Sequence, residues 1–128
     1  MKLVSFLLCK SIRPTEEKFW DLIGAGFNRI AVPEKDLPVS MPIPVFILWT
    51  RDKHEGINHS ATLRIIDEGN NDVLSSAIPI NFREDTTVKF QTIDLQIKFK
   101  DFGHYRFDLT FGGRRLDVWD FFIRHLDK

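Results

Sequence analysis

The stretch Tyr105-Arg106-Phe107-Asp108-Leu109-Thr110-Phe111-Gly112-Gly113-Arg114-Arg115-Leu116-Asp117-Val118-Trp119 decides the fold. Tyr105, Phe107, Leu109 and Phe111 alternate with Arg106, Asp108 and Thr110, the period-two pattern of a strand with one buried face. Gly112-Gly113 supplies the positive φ that a two-residue hairpin turn demands. Closing the hairpin there sets Phe111 opposite Arg114, Leu109 opposite Leu116 and Phe107 opposite Val118, which are apolar pairs on one face. The other face pairs Thr110 with Arg115, Asp108 with Asp117 and Arg106 with Trp119, and continues to Phe121 and Ile123. Two opposed acids repel, and Arg106 and Arg115 lie on the diagonals to neutralise them.

Outward from this hairpin the chain is a series of short apolar runs separated by turn residues. Leu3–Ile12 reads as a strand. Phe19–Ile23 and Phe27–Val32 read as strand pieces broken at Gly24-Ala25-Gly26. Residues 33–44 hold four prolines and read as extended loop. Val45–Trp49 is apolar throughout, the pattern of a strand buried on both faces. Ala61, Leu63 and Ile65 alternate with Thr62 and Arg64. Asp67–Asp72 is a turn, and Val73–Ile80 is a weaker strand blunted by Pro79. Val88 and Phe90 alternate in one phase; Ile93, Leu95, Ile97 and Phe99 alternate in the other. The slip near Thr92 predicts a bulge or bend. Seven or eight strands at this spacing predict an all-β fold, an antiparallel β-sandwich that is immunoglobulin-like or similar, spanning residues 1–128 as one domain. The 12 phenylalanines, three tryptophans and one tyrosine suit a core between two sheets. Two helical alternatives compete: a short helix over Thr15–Ile23, and a terminal one over Asp117–Asp127, where Leu116, Trp119, Ile123 and Leu126 fall at helical spacing.

Composition narrows the function. The chain has 128 residues, with 18 basic and 18 acidic side chains. A net charge of zero gives no surplus for binding nucleic acid. The single cysteine, Cys9, rules out an intrachain disulfide and a cysteine-based zinc cage. The apolar run Leu3–Leu8 is shorter than a signal-peptide core, and we read it as a buried first strand. No run approaches a membrane span.

The candidate chemistry is sparse. His54 and His59 stand five apart, not the four that a helical zinc site needs, and Gly56 and Asn58 oppose a helix between them. Asp67–Asp72 is rich in oxygen ligands but lacks calcium-loop spacing, and a plain turn needs the same residues. Gly24-Ala25-Gly26 lacks the third glycine of a nucleotide loop. No serine sits in a G-x-S-x-G elbow, and no nucleophile–base pair is evident. The pattern Asp101-Phe102-Gly103-His104-Tyr105 matches the tyrosine corner of immunoglobulin-like sandwiches, in which the hydroxyl bonds back to the preceding turn.

Phe6-Leu7-Leu8-Cys9-Lys10-Ser11, Leu22-Ile23-Gly24-Ala25-Gly26-Phe27, Leu63-Arg64-Ile65-Ile66-Asp67 and Gly103-His104-Tyr105-Arg106-Phe107 together resemble an uncharacterised family of small bacterial β-sandwich domains. The resemblance implies a sandwich with no known catalytic residues. We therefore expect a non-enzymatic interaction module in the bacterial cytosol, without metal or cofactor, binding a protein partner or a second copy of itself rather than nucleic acid or membrane. The expected contact residues are Arg106, Trp119, Phe121 and Ile123, since large apolar side chains on an outer face need a cover. The alternatives are a carbohydrate- or small-ligand-binding sandwich using Trp20, Trp49 and Trp119, and, more weakly, a hydrolase.

Overall fold

The computed structural model describes residues 1–126. Ten strands form: β1 (Lys2–Leu8), β2 (Ser11–Pro14), β3 (Trp20–Ile23), β4 (Arg29–Val32), β5 (Val39–Thr50), β6 (Asn58–Ile66), β7 (Asp72–Asn81), β8 (Val88–Phe99), β9 (Gly103–Phe111) and β10 (Arg114–His125). A three-stranded sheet ordered β1-β5-β8 faces a five-stranded sheet ordered β4-β10-β9-β6-β7, and β2-β3 form a separate hairpin. The expected β-sandwich is present, with more strands than the seven or eight anticipated. It is also mixed rather than purely antiparallel, because β4 runs parallel to the end of β10, from Phe122↔Arg29 to His125↔Val32. Both helical alternatives fail. Trp20–Ile23 is strand, and β10 stays extended to His125; Asp127, the end of the second alternative, lies outside the described residues.

The core fills from alternate positions of both sheets. Trp49, Phe99, Phe107 and Phe121 are fully buried. Burial of each contributes roughly 1.5–3 kcal/mol. Phe121 is the hub of an aromatic cluster: its ring stacks on Phe99 at 5.6 Å and meets Phe27 edge-on at 5.2 Å. The β9–β10 turn uses Gly112 at φ 60° and Gly113 at φ 75°, as a type I′ hairpin requires.

The prolines behave differently from the extended loop expected over residues 33–44. Pro42 and Pro44 lie inside β5, which pairs with β8 without interruption from Val39↔Phe99 to Thr50↔Val88. Cys9 N donates to Pro44 O at 2.9 Å, so the Pro44 backbone polar positions face β1, not β8. By the period-two alternation Pro42 faces the same way. Both missing N–H groups therefore fall on the β1 side, and the β5–β8 ladder loses nothing. The consequence is the break in the expected Leu3–Ile12 strand. β1 pairs with β5 only back to Leu8↔Val45. Beyond that point β5 offers no donors, and the chain leaves the sheet at Cys9 to form β2, which pairs with β3 instead.

Candidate interaction surface

The hairpin register is where sequence and structure part. Arg114↔Phe111 and Arg115↔Thr110 pair as expected. A bulge then leaves Leu116 unpaired, and the register resumes as Asp117↔Leu109, Val118↔Asp108, Trp119↔Phe107 and Phe121↔Tyr105. One extra residue flips every later side chain to the opposite face. Trp119, Phe121 and Ile123 thus share the inner face with Phe107 and Tyr105. Phe121 is 0% and Ile123 2% exposed. Trp119 is half-buried; its ring meets Phe6 of the other sheet edge-on, and its Nε1 donates to Phe27 O at 3.1 Å. Arg106 stands on the outer face opposite Asp120 and donates to Asn70 Oδ1 at 2.8 Å. The four residues expected to form one contact surface therefore do not share a face, and the cover over Trp119, Phe121 and Ile123 is the molecule's own second sheet and the Phe27 segment.

The tyrosine corner forms. Tyr105 is buried and its hydroxyl donates to Asp101 O at 2.8 Å, four residues back. Burial pushes the phenol above its ordinary range, with nearby Asp101, Asp67 and Glu68 adding to the rise; the Asp101 N–H aimed at the oxygen opposes it. Gly103 closes the corner at φ 131°, where a Cβ would lie 2.8 Å from Glu68 Oε1. That carboxylate accepts from His104 N at 2.7 Å. The oxygens of the Asp67–Asp72 turn are thus used internally: Asp67 Oδ1 accepts from Asn71 N, Glu68 clasps His104 and Asn70 holds Arg106.

The outer face of the five-stranded sheet is polar and paired. Asp108, buried at 5%, accepts a bidentate grip from Arg115 Nε and Nη2 at 2.9–3.2 Å. Arg64 pairs with Asp72 at 2.6 Å. His104 Nε2 lies 2.7 Å from Asp120 Oδ1 and its ring stacks on Phe122. The other histidines stay scattered: His59, at the start of β6, bonds Gly56 O in the preceding loop, His54 is exposed, and His125 approaches Glu34 at 3.8 Å. Trp49 is sealed in the core, and Trp20 sits on the β2–β3 hairpin, so the tryptophans do not gather on one surface. Burial pushes the Cys9 thiol up, keeping it protonated and unreactive.

The outer face of the three-stranded sheet is the opposite. Val45, Ile47 and Trp49 point inward, so Phe46 and Leu48 point outward. Phe46 lies between Leu7 and Thr92, Leu48 lies opposite Phe90, and Thr50 opposite Val88. Directly opposed residues share a face. Leu7, Phe46, Leu48, Val88 and Phe90 therefore lie together on the outer face, with Phe46 itself buried at 7% and Val88 and Phe90 the members most open to water. The Phe46 and Phe90 rings are 6.1 Å apart, and Phe90 is 47% and Val88 45% exposed. The slip expected near Thr92 is not a bulge, because β8 pairs residue for residue with β5. The out-of-phase residues Val88 and Phe90 simply face outward.

Sequence reasoning missed two polar anchors. Gln91, inward on β8, accepts from Trp49 Nε1 at 2.7 Å and donates to Pro79 O at 2.6 Å, tying the β8 edge to β7. Arg51 is buried and its guanidinium donates to the carbonyls of Asp52, Glu55, Arg83 and Glu84, clipping two loops together. The tryptophan, which needs a partner for its N–H when buried, is the only sequence signal for either.

No curated protein matches the chain. Among solved structures it is similar to an immunoglobulin-like protein from Pseudomonas aeruginosa, with 10% identity over 96% of this chain and 95% of that one, at a TM-score of 0.42. A family model described as a family of unknown function, DUF6941, matches residues 4–124, and the chain belongs to that family.

Proposed function

We propose that the protein is a non-enzymatic protein-binding module whose contact surface is the outer face of the three-stranded sheet. The observation that carries this reading is Phe90, about half exposed on a regular strand and packed on Phe46 rather than on the core. Exposed apolar area of this kind is stabilised by a partner that removes it from water. The β2–β3 hairpin adds a second apolar element: Phe19 is 66% and Ile23 42% exposed, and Ile12, Leu22, Pro14 and Trp20 share one of its faces. The polar outer face of the other sheet has most of its charged groups engaged within the chain, through Arg64–Asp72, Arg115–Asp108 and His104–Asp120, which supports assigning contact to the apolar one.

The test is site-specific photo-crosslinking in the producing cell. A benzophenone side chain at position 90 should give adducts of discrete mass, and the same group at position 122, on the opposite outer face, should give none. Adducts at 122 and none at 90 would overturn the assignment.

A further inference from the structure

Four strand edges bound the two sheets, and three of them are guarded against pairing. β4 is only four residues long. β1 carries a bulge at Val4, between Leu3 and Ser5. β7 carries Pro79, whose carbonyl is already taken by Gln91. Short strands, bulges and prolines are the usual protections of a sheet edge. β8 has none of them: it runs 12 residues without proline, glycine or register shift.

The direction of its free backbone groups follows from Pro44. That residue's polar positions face β1, so its partner Asp94 is at a non-hydrogen-bonded position of the β5–β8 ladder. The N–H and C=O of Asp94 therefore point to the free edge, and so do those of Gln96 and Lys98 at the period of two. The side chains of all three are exposed. Neither Asp94 nor Lys98 has an ion-pair partner among the described residues.

We propose that this edge pairs with β8 of a second copy, antiparallel about a two-fold axis at Gln96, to make one continuous six-stranded sheet. In that register Gln96 meets Gln96 of the second copy, and Asp94 meets Lys98 twice by symmetry. A two-fold centred on Asp94 would instead oppose the two Asp94 carboxylates. The three pairs joining Asp94, Gln96 and Lys98 satisfy the outward N–H and C=O of all three in both copies, and the charges that elsewhere deter edge pairing become complementary here. This contact goes beyond the outer-face surface proposed above, since the register leaves Val88 and Phe90 unpaired at the far end of β8.

The experiment is molar mass by light scattering at high micromolar concentration, on wild type and three variants whose fold is checked by circular dichroism. Wild type should weigh twice 15.0 kDa. Asp94→Lys and Lys98→Asp should each weaken the dimer about tenfold or more, by turning two attractions into repulsions. The double exchange Asp94→Lys with Lys98→Asp should restore it. A monomeric wild type overturns the proposal, as does a dimer indifferent to both single changes. Partner capture at position 90 survives either failure, so the two readings are tested separately.

Discussion

The two outer faces of the sandwich are built on opposite principles. On the five-stranded sheet, rows across β6, β9 and β10 place Arg64 beside Asp108 and Arg106 beside Asp120, with Arg115 gripping Asp108. Arg64 pairs with Asp72, Arg115 with Asp108 and His104 with Asp120, while Arg106 donates to Asn70 and Arg124 lies over the Phe122 ring. On the three-stranded sheet, Leu7, Phe46, Leu48, Val88 and Phe90 occupy the equivalent positions. A surface that satisfies its own groups has little to gain from a second molecule. A surface that leaves aromatic area in water gains from one. The difference teaches where to look for function in a chain with no catalytic constellation: at the face whose groups are unfinished.

The largest expected effect comes from the inner face of β10. Phe121→Asp places a carboxylate without a partner at the 0% exposed centre of the aromatic cluster, among Phe27, Phe99 and Phe107. Beyond the roughly 1.5–3 kcal/mol lost with the buried ring, unpaired charge would enter the core. The variant should show no cooperative thermal transition; a melt close to wild type would show that Phe121 does not face inward. Next comes the ion pair that finishes the polar face. Arg115→Met leaves the buried Asp108 carboxylate without its main partner. Arg115 itself is half-exposed, so solvent screens part of the loss, and about 1–2 kcal/mol should disappear in urea unfolding.

Tyr105→Phe should lose about 0.5–1.5 kcal/mol, the net value of one hydrogen bond. It should also change the pH dependence. The folded pKa of Tyr105 is raised, chiefly by burial, so the native state favours the neutral hydroxyl. That contribution is fully present below the ordinary tyrosine pKa of about 10 and is lost as pH rises through the higher folded value. The phenylalanine variant should therefore lose stability less steeply than wild type above about pH 10. Equal slopes would mean that the buried hydroxyl does not couple to folding. The smallest effect belongs to the apolar face. Phe90→Ser should change stability by under about 1 kcal/mol, because half of its surface is already in water. A larger loss would make Phe90 a core residue and remove the ground for a contact there.

The all-β sandwich, the glycine turn and the tyrosine corner were legible because each rests on local rules: alternation, positive φ and a fixed five-residue spacing. The faces of β10 were not. A bulge at Leu116 has no glycine or proline to mark it, since the residue is an ordinary apolar one that fits the alternation of an unbroken strand. The β8 slip, by contrast, was visible and points to the patch itself: an alternation out of phase on a regular strand means apolar residues facing out. The prolines of β5 were equally visible. Their edge-facing role depends on which neighbour lies on which side, which only the assembled sheet defines.

Residue-level hydroxyl-radical footprinting, run on the purified protein and again in an extract of the producing cell, tests the face assignment most directly. Phe90 should label strongly in the pure protein and be protected in the extract. Phe121 should stay silent in both, and Phe122 should label equally in both. Labelling of Phe121 comparable to Phe90, or protection of Phe122 with Phe90 unchanged, would contradict the account.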